Sequence, residues 1–386
     1  MLFLNKFKEK ITDFKMLSES IKTSKHIKRS KIITNKLWNF LIRSPIIIRK
    51  DKPMKIYEKT KKIIKEYYKT IILYMFIFLL FTIKIPYYIE SPGGLIDTSK
   101  KIISEDNFKL SGSLNMAYVS EMKATIPTYL YSKINKDWNA EKEEKITAPK
   151  EKIEDLEYRN KMLLKESNKI AQLVAYNHSN IKYEIINDKL YITYIDEKAK
   201  TNLKVKDQLI KVDGKEIKDK NHLQSYIKSK DINEKIIFTV KRDDKILERN
   251  ATLIEVAKEP KVGAMLTEDF NIKSNKKIKF RFKETESGPS GGLMLALTIY
   301  SYLNKIDLTN GSKIAGTGTI DIDGNIGEIS GVKYKLMGAV KEHAQIFLVP
   351  KGNNYEEAKK IKKEKNYSIE LIPVETFEEA LKYLKK

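Results

Sequence analysis

Apolar residues are spread unevenly along the chain, and their spacing predicts its elements. From Ile71 to Ile83 thirteen residues run without a charge, and continuing through Ile85, Pro86, Tyr87, Tyr88 and Ile89 gives nineteen, broken only by Lys84. At ~1.5 Å of rise per residue this approaches the ~30 Å hydrocarbon core of a bilayer. The pattern predicts a transmembrane helix over 70–89, with Lys84 snorkelling to the headgroups, Tyr87 and Tyr88 in the interfacial belt and Pro86 closing the helix. A cleaved signal peptide fits less well, since 69 residues precede the run and Ile-Glu-Ser-Pro-Gly-Gly follows it. A buried core helix is the other reading of so short an apolar core. Upstream, Leu37–Ile42 and Pro45–Ile48 are interrupted by Arg43 and Arg49. They read as an amphipathic piece lying on anionic lipid or as part of a basic tail.

Beyond the Pro92-Gly93-Gly94 break, 114–120 reads as a strand, 126–134 as a short helix and the charged 139–145 as a solvated loop or helix tip. Between Ile153 and Asn177, Leu156, Met162, Leu163, Ile170, Leu173 and Val174 recur at three and four spacing, which predicts a surface helix of about six turns. Residues 182–256 then change period to short strands with one helix-like piece, Leu223–Ser229. A strand-like segment from Phe280 enters Gly288-Pro289-Ser290-Gly291-Gly292, and an apolar helix starts at about Leu293. After it come a strand at Ala315, an Asp323-Gly324 turn, a second strand and a helix from about Val332.

Charge changes this picture by its location. The 386 residues carry 74 Lys and Arg against 51 Asp and Glu, a net charge of +23. Residues 1–69 hold 20 of the basic and 6 of the acidic residues, so most of the excess precedes the apolar run. That asymmetry places the N-terminus of a single-pass cell-membrane protein in the cytoplasm and the larger part outside it. It also argues against nucleic-acid binding by the main body, which would carry its own basic patch. With no cysteine, disulfides, thiol nucleophiles and Cys-ligated metals are excluded.

The chemical signal is strongest at Ser290. A serine at a helix entrance among small neighbours lets a substrate backbone approach, and the unpaired amides there, Ser290 and Gly291, supply an oxyanion site. An ordinary N-cap is the competing reading. The formal G-x-S-x-G match would need an acid and then a histidine, but only His343 follows and too few residues remain for an α/β-hydrolase. No GxxxxGK[ST] phosphate loop is found.

Two resemblances sharpen the reading. Leu203-Lys-Val-Lys-Asp-Gln-Leu-Ile-Lys-Val-Asp-Gly resembles the PDZ pattern of a bend, a buried strand and an Asp-Gly turn, with Lys206 where that pattern usually has Gly. The resemblance implies capture of an extended polypeptide, with the carboxylate-binding loop near Lys198–Leu203. Ser290 in Gly-Pro-Ser-Gly-Gly, the Thr317-Gly-Thr-Ile-Asp strand and Ser330-Gly-Val-Lys-Tyr-Lys resemble the proteolytic domain of Lon-type serine proteases. With the anchor and PDZ-like segment, the whole is similar to membrane-bound PDZ-containing Lon-like proteases. Gly291 stands for the commoner Ala and Ser330 for the commoner Gly.

The resemblance implies a hydrolase with a Ser290–Lys333 dyad, Thr317 orienting the lysine, and ring assembly into a homo-oligomer. A neutral lysine is needed, because an ammonium has no lone pair to accept the serine proton. Lys335, two residues on, is the rival base and is expected to face solvent. The expected organisation is α+β and multidomain: a basic segment 1–69, an anchor 70–89, a mixed α/β region 90–180, a PDZ-like domain 181–257 and a Lon-like domain 258–386. The expected function is ATP-independent cleavage of peptides or unfolded segments at the extracytoplasmic face, without cofactor or metal. A non-catalytic, membrane-anchored peptide-binding scaffold is the alternative.

Overall fold

The computed structural model describes residues 53–106 and 108–385. The chain divides into two compact units, 1–77 and 78–386. The amphipathic piece expected around 37–48 lies outside the described residues.

The expected transmembrane anchor over 70–89 is not formed. Helix α1 (Pro53–Thr82) stops at Thr82, and residues 84–97 are a strand, β1 (Lys84–Asp97). The apolar helical run from Ile71 to Thr82 is about 18 Å long at ~1.5 Å per residue, well short of a hydrocarbon core. Extending it backwards takes in Lys69, Glu66 and Lys65. Among the described residues no helix is long and apolar enough to cross a membrane. Tyr88 and Ile89, expected at the lipid interface, instead pair with Lys123 and Met122. The sidedness drawn from a span has no structural counterpart.

After β1 come β2 (Ile102–Ser104), β3 (Ser113–Thr125), α2 (Ile126–Ile134), β4 (Asn139–Lys142), the single turn α3 (Glu143–Ile146) and the long α4 (Ile153–His178). The β-rich stretch follows as β5 (Tyr183–Ile195), β6 (Lys200–Thr201), β7 (Gln208–Val212), β8 (Lys215–Glu216), α5 (Lys220–Lys228), β9 (Lys235–Arg242), β10 (Lys245–Thr252), β11 (Ile254–Val256), β12 (Glu259–Lys261) and β13 (Ala264–Ser274). The last part holds β14 (Ile278–Phe280), α6 (Gly292–Asn304), β15 (Lys313–Gly316), β16 (Thr319–Ile320), β17 (Ile326–Gly327), α7 (Val332–Lys341), β18 (Ile346–Pro350), α8 (Asn353–Glu364), β19 (Glu370–Val374) and α9 (Phe377–Leu384).

One six-stranded sheet, in the order β19-β18-β15-β3-β1-β4, joins elements from both ends of this unit. β19, β18, β15 and β3 run parallel to one another, while β1 is antiparallel to β3 and β4. The period-two alternation of strands decides which face each side chain serves. Leu114, Met116, Ile314 and Leu348 point to a core shared with α4, α6 and α9, whereas Ala117, Ala315, Phe347 and Val349 point to a core shared with α7 and α8. α6 is apolar on all sides because it is buried on all sides, from Leu293 through Tyr302.

The second sheet, in the order β13-β5-β7-β9-β10-β6 with β8 on β7, is closed by α5 over a core centred on Leu223, Ile236 and Phe238. This β-rich module is an insertion: α4 before it packs on α6 after it. The segments expected as a separate 90–180 region and a 258–386 domain therefore build one sheet, and β13, from the C-terminal segment, pairs with β5 in the other. Such pairings join residues far apart in sequence, so local patterning does not display them.

The Asp213-Gly214 turn forms with both residues at positive φ, 45° and 78°. Lys206, in the place where the resemblance usually has Gly, also adopts a left-handed conformation at φ 77°. A lysine there stores about 1 kcal/mol of strain that a glycine avoids. Lys206→Gly is expected to raise the unfolding free energy by about 1 kcal/mol in urea titration.

Candidate active site

Ser290 lies one residue before the cap of α6: the N-cap position is Gly291, so the serine is not the ordinary cap. Its backbone is fixed from across the sheet. The Ser290 carbonyl accepts the Gly318 amide at 2.8 Å and the hydroxyl of the fully buried Thr317 at 3.2 Å, and Leu293 N–H returns to Gly318 O. Thr317 thus meets the nucleophile segment through its carbonyl. The Gly292 and Leu293 amides bond to the Pro289 and Gly318 carbonyls. The amides of Ser290 and Gly291 have no partner among the described residues, which leaves them for an incoming oxyanion.

The approach to Ser290 is held by groups that local patterning did not single out. Lys101 Nζ forks to both oxygens of Glu286 at 2.7 and 2.8 Å, and the same carboxylate accepts Lys283 N–H. Helix α4 takes up the next two residues: Gly288 N–H donates to Asn160 O, and Ser167 Oγ donates to Pro289 O at 2.9 Å. These partners lie more than a hundred residues upstream, beyond the reach of a motif.

The two candidate lysines have different surroundings. Lys333, the sequence choice for the base, is only partly buried, with Nζ on the Lys136 carbonyl at 3.2 Å and 5.4 Å above the Tyr334 ring. Lys335, expected in solvent, is 4% exposed. Burial pulls its ammonium down from 10.5 to about 8. It sits in the first turn of α7, whose positive end also disfavours an ammonium. The helix starts from Gly331 at φ 71°. Lys333 is the lysine of the motif, and Lys335 is the one with the buried, desolvated surroundings that favour a neutral amine.

Strand β3 borders both halves of the site. A Cβ on Gly291 would lie 2.9 Å from Met116 Sδ, and one on Gly331 would lie 2.6 Å from Val119 Cγ2. Met116 fills the space an alanine at 291 would need, which accounts for glycine at that position. Among the described residues no cluster of His, Asp and Glu suits a metal ion.

A second concavity, of about 720 Å³, opens in the β-rich module between α5 and the segment entering β13. Leu223, Gln224 and Ile227 form one wall, and Val262, Gly263 and Leu266 form the other. Lys198 and Leu203, expected in the carboxylate-binding loop, line the cavity too, as does the short link 262–263 between β12 and β13. β13 is the edge of its sheet. Its outer edge is occupied further on, where Glu268 N–H meets Glu166 of α4 and the Phe270 carbonyl accepts Lys169 Nζ.

Comparison with known proteins bears on both sites. Residues 263–385 match the Lon protease (S16) C-terminal proteolytic domain, and residues 177–253 match the PDZ domain. The chain carries a Lon-type proteolytic domain and a PDZ domain. The former is the domain of a serine endopeptidase. The chain is 33% identical over 99 residues to the Lon protease of Neorickettsia sennetsu, covering 26% of this chain and 12% of that protein. It is 36% identical over 94 residues to Lon protease 2 of Bacillus subtilis, covering 24% of this chain and 16% of that protein. The chain thus spans only a small fraction of the curated relatives it matches. The crystal structure of the PDZ domain of an SdrC-like protein from Listeria innocua aligns at 22% identity over 20% of this chain and 92% of that one, with a TM-score of 0.19, too low to bear on the fold. The family matches leave 254–262 unassigned, and the Lon-type match begins one residue before β13, a strand of the sheet that holds β5–β10.

Proposed function

We propose that the chain cleaves extended or unfolded polypeptide segments, with Ser290 as nucleophile and Lys335 as general base. The observation that carries this reading is the near-complete burial of Lys335 beside the strand that also backs the Ser290 turn. With its ammonium held near about 8, roughly a tenth of the Lys335 side chains are neutral at pH 7. A neutral Nζ takes the proton from Ser290 Oγ as the oxygen bonds to the scissile carbonyl carbon. The carbonyl oxygen, now an anion, is held by the Ser290 and Gly291 amides. The Lys335 ammonium then gives its proton to the departing amine as the C–N bond breaks. Water repeats the sequence to release the acyl group. Thr317 acts by holding the Ser290 backbone.

The PDZ groove supplies binding. An extended segment adds to the open start of β13 at 264–266, with an apolar side chain in the cavity beside Leu223 and Ile227.

Cleavage of β-casein as a function of pH tests the dyad. Because the base works only when neutral, kcat is expected to rise about tenfold per pH unit below the Lys335 pKa and to level off above about 8. Ser290→Ala should abolish cleavage at every pH. Equal cleavage by wild type and Ser290→Ala would overturn the proposal.

A further inference from the structure

Adjacent residues of α4 reach toward two different sites. Glu166, 9% exposed, accepts the Glu268 N–H of β13 at 2.9 Å and lies 3.8 Å from Lys220 Nζ of α5. The Glu268 carboxylate in turn accepts the Lys220 N–H, in the first turn of α5, at 3.0 Å. Ser167, 5% exposed, points the other way and donates to the Pro289 carbonyl, immediately before the nucleophile. One turn of α4 is therefore bonded to the groove strand, the groove helix and the nucleophile turn.

We propose that Glu268, Glu166 and Ser167 form a positioning relay through which the α5/β13 groove sets the placement of Ser290. The inference rests on the peptidase reading of Ser290 and on peptide binding in the groove. The Glu268–Glu166, Lys220–Glu268 and Ser167–Pro289 links are directional hydrogen bonds between buried or half-buried groups and the helix backbone joins Glu166 to Ser167, so displacement of β13 or α5 moves Glu166 and, with it, the rigid helical turn that holds Pro289. None of the three residues touches the reacting atoms. A peptide that tightens β13 against α5 tightens the nucleophile turn, and a loosened groove loosens it.

Hydrogen–deuterium exchange of the full chain reads the relay without depending on activity. Ser167→Ala is expected to speed exchange across 286–292 by about tenfold, and Glu166→Ala, which removes the acceptor of the Glu268 N–H, should do the same. Adding the second substitution to the first should change exchange there little further, because both cut one series. Ser167→Thr, which keeps a hydroxyl, should restore protection. If Glu166→Ala does not fold, Glu166→Gln keeps an acceptor and should stay near wild type. On β-casein the same two cuts should lower kcat with KM nearly unchanged. Exchange in Glu166→Ala that rises only around α5 and β13, with 286–292 at its wild-type rate, would overturn the relay. Loss of the peptidase reading would show separately, as casein left uncut by the wild-type chain.

Discussion

Lys335→Ala is expected to lower kcat on β-casein by roughly 10⁴-fold or more, whereas Lys333→Ala should stay within about threefold of wild type. The contrast follows from surroundings. Lys333 bonds to a main-chain carbonyl at the protein surface, so its ammonium has both a partner and access to water. Lys335 is buried, and desolvation lowers its pKa. Removing Lys335 leaves Ser290 with water as proton acceptor, and the oxyanion amides alone retain a small residual rate. Lys335→Arg should be as inactive as Lys335→Ala, because a guanidinium does not deprotonate in proteins. Steady-state kinetics on the four proteins decides between the lysines, and circular dichroism confirms that each remains folded.

A second large effect is expected at Gly331. The residue caps α7 at φ 71°, where an added Cβ costs about 1–2 kcal/mol. That carbon would also meet Val119 Cγ2 at 2.6 Å. The clash is with β3, so it is relieved by pushing the start of α7, and Lys335 with it, away from the strand. Displacements of about 1 Å at a reacting group can cost 10²-fold in rate. Gly331→Ala is therefore expected to lower kcat by about 10–100-fold, while the loss of stability stays near about 1–2 kcal/mol. Val119→Ala in the same chain makes room for the Cβ and should recover part of the rate. Recovery of stability without recovery of rate would separate strain at the cap from placement of the lysine.

The sequence made some of this legible and concealed the rest for identifiable reasons. The helix from Ile153, the Asp213-Gly214 turn and the entrance of α6 after Ser290 all follow from local periodicity and turn chemistry, and each forms. The choice between Lys333 and Lys335 depended on the buried face of α7. Val332, Leu336 and Ala339 are buried, and Lys335 lies on the same stripe, at the i+3 position from Val332. That spacing was present in the sequence and marks Lys335 as the inward lysine.

The anchor failed for a different reason. A run of apolar residues states hydrophobicity but not whether its second half will find a strand partner, and Tyr88-Ile89-Glu90 does so with Glu121-Met122-Lys123. The same limit hid the insertion of the PDZ domain and the assignment of β13 to its sheet. Residues 264–269 run three apolar then three polar without alternation, and the partner β5 is set by contacts that sequence spacing does not encode.

The central claim is that Ser290 is made nucleophilic by Lys335. Reaction of the full chain with a fluorophosphonate, followed by mass spectrometry of the peptide containing Ser290, measures this without any choice of substrate. The predicted result is covalent modification of Ser290 at a rate that rises with pH to a midpoint near about 8, is lost in Lys335→Ala and persists in Lys333→Ala. Modification of Ser290 at an unchanged rate in Lys335→Ala, or its loss in Lys333→Ala instead, would contradict the account.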